Sequence, residues 1–331
     1  MQLYVKNKIR RKGQFQFYQH QLVEALLRLG CSKKKEYMPS NIIYKAVRRF
    51  CFCSPSFILG FLKCLPFSSK KIVITSRGTD LLEQAFPYWG YDIVPVLWDV
   101  WPVYWDKLYH DLRLLKVKTV FVTVESMAKK LTDELGVTAY WLPEGIDVSD
   151  YKPGDLLVNR KIQVYELGRQ HPVYHNAILS LINKNVIRAY KGNSYTGGGK
   201  LKALAFPTAI DLLQALPNIQ ICVCFPKCDT HPKEAGGIET LTQRYWEVML
   251  SRCIIVGRAP KELVKIIGYD PVVNVDFTKP ELQLTRILND IESYQEIVDK
   301  NYTTALKYAS WDLRAKYICK TITQDDNGYK E

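Results

Sequence analysis

Residues 234–256, Glu-Ala-Gly-Gly-Ile-Glu-Thr-Leu-Thr-Gln-Arg-Tyr-Trp-Glu-Val-Met-Leu-Ser-Arg-Cys-Ile-Ile-Val, hold the densest set of groups suited to chemistry. Gly236 and Gly237 precede a run whose periodicity predicts a helix over 239–250. Glycines there let backbone approach a ligand, and the first N–H groups of the helix would present an anion site. Glu239 and Glu247 are eight residues apart, about two turns, which places them on one helix face. Arg244, three residues before Glu247, lies on the same side. A phosphate at the helix start, with carboxylates further in for sugar hydroxyls, is a coherent nucleotide site. A plain surface helix with acidic and basic decoration accounts for the same spacing.

Asp99 stands between Trp98 and Trp101 at the end of an apolar run, as an acceptor base or hydroxyl-binding group or as a helix N-cap. Ser76-Arg77-Gly78-Thr79 also follows an apolar run, and reads as an acceptor contact through Arg77 or as a turn and cap. Cys222, Cys224, Cys228 and His231 suggest zinc, but Cys222 and Cys224 alternate within an apolar strand, where cysteine behaves as a small hydrophobe; no metal is expected. Gly197-Gly198-Gly199-Lys200 lacks the Ser or Thr that follows the lysine of a Walker loop.

The elements that must position these groups alternate. Helical periodicity covers 14–29, 126–135, 201–216, 239–250, 261–267 and 281–304, with another helix reaching about 115. Apolar runs at 71–75, 92–97, 119–124, 138–142, 161–167, 219–225, 253–256 and 272–275 read as strands buried on both faces. Residues 143–159 lack periodicity and carry Pro143, Gly145, Pro153 and Gly154, the pattern of a linker. The expectation is two α/β domains with parallel sheets and a cleft between them, with ligands beyond the carboxyl ends of the strands.

A chain of 331 residues, 47% hydrophobic and 24% charged, excludes wholesale disorder and fibrous classes. It has no uncharged apolar run of about 18 residues, and residues 1–10 lack the pattern of a secretory signal. Nine cysteines at irregular spacing suit a reducing, cytoplasmic compartment. The charge is uneven: residues 1–77 hold 16 Lys and Arg against two acids, the remainder 30 against 31. Basic residues there alternate with apolar ones, as in Ile-Ile-Tyr-Lys-Ala-Val-Arg-Arg-Phe at 42–50. This suits an anionic membrane surface, or equally a core helix with a solvated basic face. No helix-turn-helix, zinc-finger or RNP signature accompanies it, so nucleic acid is not the expected partner.

Together these segments resemble the donor-binding region of GT-B glycosyltransferases, especially the glycosyltransferase family 4 type and the group related to spore-maturation protein CgeB. Glu239 and Glu247 match a Glu-x7-Glu pattern, within Arg244-Tyr-Trp-Glu247 leading to an apolar strand. Leu142-Pro-Glu-Gly-Ile-Asp147 with Tyr151-Lys-Pro153 is similar to the segment closing the N-terminal domain, Leu167-Gly168-Arg169 to a Gly-Arg loop, and Ser310-Trp311 to the start of the final helix. The resemblance implies two Rossmann-like parallel-sheet domains, 1–153 for the acceptor and 154–305 for the donor, with 306–331 as a helix returning to the first. It gives Glu247 the nucleotide ribose, Glu239 the donor sugar, Arg169 and Arg244 the pyrophosphate, and Gly168, Gly236, Gly237 and Thr240 the surrounding backbone contacts. Lys200 is a further cation. Arginine forks and a helix dipole would stabilise a departing nucleoside diphosphate without a metal or other cofactor.

The implied activity is transfer of a sugar from a nucleotide-sugar donor to a glycan or lipid-linked acceptor, retaining, in bacterial surface polysaccharide synthesis, with the protein peripheral to the inner membrane face. A nucleotide-sugar epimerase of the same architecture and a silent sugar-nucleotide-binding protein are the alternatives. The sequence departs from the family where Arg252 stands at a common glycine position, and in showing no opening strand with a glycine-rich loop beyond Lys12-Gly13.

Overall fold

The computed structural model describes residues 3–6, 18–35, 42–196 and 201–328. They divide into two compact units, one running to Pro143 and resuming at Trp311, the other spanning Glu144 to Ser310. The division therefore falls earlier than the expected 153/154 boundary.

The first unit is a six-stranded parallel sheet: β1 (Tyr4–Lys6), β2 (Ser32–Lys34), β3 (Lys71–Arg77), β4 (Asp92–Trp98), β5 (Thr119–Val122) and β6 (Thr138–Trp141), in spatial order β2-β1-β3-β4-β5-β6. The central strands are buried along almost their whole length, as expected for a sheet covered on both faces. β1 corrects the reading of the N-terminal quarter as lacking an opening strand. Three residues, the last of them Lys6, are too short to show a period, and only pairing with β2 and β3 defines them. The helix Tyr18–Arg28 ends at Gly30, which takes a left-handed φ of 88°. The final helix, Trp311–Gly328, packs on it with Trp311 in the same core as Trp98, and Arg28 bonds Asp312 at 2.7 Å.

The second unit is a five-stranded parallel sheet: β7 (Ile162–Glu166), β8 (Tyr190–Gly192), β11 (Ile219–Cys224), β12 (Ile254–Gly257) and β13 (Val273–Asn274), in order β13-β12-β11-β7-β8. An antiparallel hairpin, β9 (Ser194–Tyr195) and β10 (Leu201–Ala203), follows β8. β8, the hairpin and the helix Pro172–Asn183 went unread in the sequence. The helix expected over 201–216 is instead β10 and a shorter helix, Ala209–Ala215, opened by a Thr208–Asp211 capping box. The run 281–304 is two helices, Pro280–Asn289 and Gln295–Tyr308, parted at Ile291–Tyr294.

In both sheets the strand order reverses beside the first strand, between β1 and β3 and between β7 and β11. Such switch points are where doubly wound sheets bind ligands, beyond the carboxyl ends of the strands.

Candidate functional site

At the switch point of the second unit, β7 ends at Glu166 and runs into Leu167-Gly168-Arg169. Gly168 takes a φ of 87°, and a Cβ there would stand 3.0 Å from the Arg244 guanidinium carbon. The backbone angle favours glycine, and the Arg244 guanidinium lies close over the bare Cα. The Gly168 carbonyl accepts hydrogen bonds from the Tyr195 hydroxyl at 3.1 Å and the Asn193 amide at 3.5 Å. The loop is therefore braced from the hairpin, in a part of the chain the sequence did not mark.

Arg244 lies in the first turn of the helix Gln243–Leu250 and is half-buried; its Nη1 is buried without a hydrogen-bond partner. A buried donor on a charged group left unused costs about 1–3 kcal/mol or more, and an anion accepting from it would remove that cost. Arg169 follows Gly168 and is also half-buried. His231 lies near enough that Arg169 adds to the depression of its pKa that burial causes first.

One turn beyond Arg244, Glu247 is 6% exposed, and its Oε1 accepts from the Tyr151 hydroxyl at 3.0 Å. Burial pushes the Glu247 carboxyl above the ordinary range, against the Tyr151 bond and the Arg244 charge. Tyr151 lies in the expected linker, which instead packs within the second unit. The same segment supplies Glu144, whose Oε2 accepts from the Gln243 N–H at 2.9 Å and whose carbonyl accepts from Trp246 Nε1 at 2.9 Å.

Three expectations are corrected here. The helix begins at Gln243, four residues later than read, so Glu239 and Glu247 do not share a helix face. Glu239 lies in the preceding loop, accepting from the Lys261 N–H at 3.0 Å and from Arg258 Nη1 at 2.5 Å. Arg258 also forks onto Asp229 at 2.6 and 2.7 Å, tying the loops after β11 and β12. The helix N-terminus does not present all of its first N–H groups, because Thr242 makes no side-chain cap and Glu144 takes the Gln243 N–H. Gly236 and Gly237 are exposed in the loop before it; Gly236 has a φ of 58° after the turn Pro232–Ala235, and a Cβ on Gly237 would meet open space. Thr240 is buried. Lys200 lies outside the described residues, as does the Lys12-Gly13 pair.

Arg252, at the common glycine position, takes the left-handed φ of 55° that glycine would supply. Its side chain offsets the strain by bonding Asp299 at 2.7 Å and the Gly154 carbonyl at 2.9 Å. Beneath the loop, the buried Glu166 Oε2 accepts from Tyr190 and His175, each at 2.6 Å, and the Glu166 bond raises the His175 pKa. His171 packs against the rings of Phe225 and Phe277 at 4.9 and 4.7 Å.

In the first unit, Asp99 follows β4 with a φ of 52°. It accepts from Trp101 Nε1 at 3.2 Å and pairs with Arg77 Nε at 3.4 Å, so the two acceptor candidates lie together at the sheet's carboxyl edge. The next helix starts at Trp105, and Asp99 does not cap it.

No protein-family model and no curated protein matches the sequence. Solved structures do. Sucrose-phosphate synthase from Thermosynechococcus elongatus matches with a TM-score of 0.61 at 11% identity, over 99% of this chain and 100% of that one. HepE of Anabaena, solved with UDP-glucose, gives 0.59 at 9% identity over 98% and 100%. A glycosyltransferase from Rickettsia africae gives 0.57 at 11% over 98% of each chain. At these identities the likeness is one of fold: the chain has the two Rossmann-like domains of the GT-B architecture.

Proposed function

We propose that the protein is a glycosyltransferase that moves a sugar from a nucleoside-diphosphate-sugar donor to a glycan or lipid-linked acceptor. The observation that carries this reading is Arg244, its guanidinium laid on Gly168 with Nη1 buried and unused at the β7/β11 switch point. Charge develops on phosphate oxygens as a nucleoside diphosphate leaves, and preorganised guanidinium groups stabilise it where water is excluded. Arg169 and Arg244 supply that countercharge, and no metal is invoked. Glu247, one turn further in, offers a carboxylate for ribose hydroxyls. The complex of HepE with UDP-glucose on the same fold supports the choice of donor class.

The Glu-x7-Glu resemblance assigns retention of anomeric configuration, with the departing phosphate taking the acceptor proton. Asp99 and Arg77 in the first unit hold the acceptor hydroxyl. Calorimetric titration of nucleoside diphosphates, with donor hydrolysis and transfer assays, tests the reading. Arg244→Gln should weaken diphosphate binding about 10- to 100-fold, the scale of a lost charged hydrogen bond, while Asp99→Asn binds donor normally and loses transfer. Unchanged diphosphate affinity in Arg244→Gln sinks the assignment.

We propose further that the basic N-terminal quarter rests on an anionic membrane, which fits surface polysaccharide synthesis at the inner face. Ile42 and Phe57 are each 82% exposed on the helices Ile42–Cys53 and Pro55–Leu62, and Phe50 and Phe61 are also exposed. Among the described residues no helix is long and apolar enough to cross a membrane. Vesicles with anionic lipid should pellet the protein at low salt and release it at high salt, since Lys and Arg contribute about 1 kcal/mol each near such a surface; no pelleting at low salt ends the idea.

A further inference from the structure

Two thiols outside the donor site are placed for chemistry of their own. Cys31 follows Gly30 at the end of the helix Tyr18–Arg28, and Cys319 lies in the final helix. Their Sγ atoms are 3.9 Å apart although 288 residues separate them in sequence. Both are half-buried, and with Leu3, Leu29, Gly30 and Ser32 they line an open cavity of about 540 Å³. Cys222, Cys224 and Cys253, by contrast, are fully enclosed in the core of the second unit.

We infer that Cys31 and Cys319 form a redox-active dithiol, a modification site that closes to a disulfide by exchange with a small oxidised disulfide entering the cavity. Either sulfur can hold the other's proton across this contact, and the thiolate is the attacking form. With either thiolate the exchange is the same: Cys319, for instance, attacks one sulfur of the incoming disulfide RSSR, the S–S bond breaks, and RS⁻ leaves to become RSH with the proton Cys319 released. Cys31 then loses its proton and attacks the Cys319 sulfur of the mixed disulfide, expelling a second RS⁻ that takes up that proton. One RSSR and two thiols give one intramolecular disulfide and two RSH, the two electrons passing to RSSR. The sulfurs must close from 3.9 Å to about 2.05 Å. The bond would fasten the final helix to the N-terminal helix of the same unit.

The test is incubation of the full chain with oxidised glutathione, followed by alkylation and peptide mapping, with thermal melting alongside. Expected are a Cys31–Cys319 cross-linked peptide pair and a melting temperature raised by roughly 4 °C or more, both reversed by dithiothreitol. Cys31→Ser should stall with glutathione on Cys319, and Cys319→Ser with glutathione on Cys31. Recovery of Cys31 and Cys319 as free thiols while the exposed Cys53 and Cys64 carry glutathione overturns the proposal, with no variant needed. If the remaining thiol of the pair stays alkylatable in both single variants, no exchange takes place at the cavity and the proposal is overturned.

Discussion

Glu247 is where burial and function compete most directly. Its carboxyl pKa is raised by burial, so the folded chain holds a proton that the unfolded chain has already released. Stability from this group is therefore greatest at low pH and falls as pH rises from the unfolded value through the raised folded one. Glu247→Gln keeps an acceptor for the Tyr151 hydroxyl and removes the titration. The variant should melt no lower than the wild type at pH 7 and show a flatter dependence of melting temperature on pH above about 4.5, the ordinary value. Its nucleotide affinity at pH 7 should drop about tenfold if the carboxylate takes ribose hydroxyls. A steeper pH dependence in the variant would contradict the sign. Arg244 and Gly168 were legible as candidates because a Gly-Arg loop and an Arg-aromatic-aromatic-Glu run are local signals. Glu144 and Tyr151 stood in a segment marked only as closing the first domain, with no role of their own: their partners lie 99 and 96 residues away, and only the folded sheet brings them together.

Among the elements, the strands were the most legible, because near-continuous apolar runs such as Ile219–Cys224 admit few other readings. Helix starts were less so. Thr240 and Leu241 continue the apolar pattern of the helix Gln243–Leu250, yet the Leu241 N–H is taken by Glu262 at 2.7 Å and Glu239 caps the next helix. Tertiary bonds drew the chain out of helix before its pattern ended. The turn at Arg252 shows the same balance in energetic terms. A non-glycine residue in the left-handed region costs about 1–2 kcal/mol, which the Asp299 ion pair and the Gly154 bond partly offset. Arg252→Ala loses both bonds and keeps the strain, while Arg252→Gly loses both and relieves it. Denaturant titration should rank Ala below Gly by about 1 kcal/mol; the reverse order would mean the turn is not strained.

Across the whole molecule, alternating strands and helices announced two parallel-sheet units, and the comparison with solved structures bears out the two-Rossmann fold. What composition concealed was how the chain is threaded through them. The second unit enters at Glu144 and leaves at Ser310, and those ends meet: Ile146 bridges Ser310, and its N–H bonds the Ala309 carbonyl at 2.9 Å. Likewise Arg314 Nε bonds the Pro143 carbonyl at 3.2 Å within the first unit. The second unit is thus topologically a cassette, spliced into its host at a single seam. A gene encoding residues 144–310 alone should yield a cooperative, monomeric protein that still binds nucleoside diphosphate, checked by calorimetry. On the proposed function, grafting a foreign cassette across that seam would exchange donor preference while leaving Asp99 and Arg77 of the first unit in place.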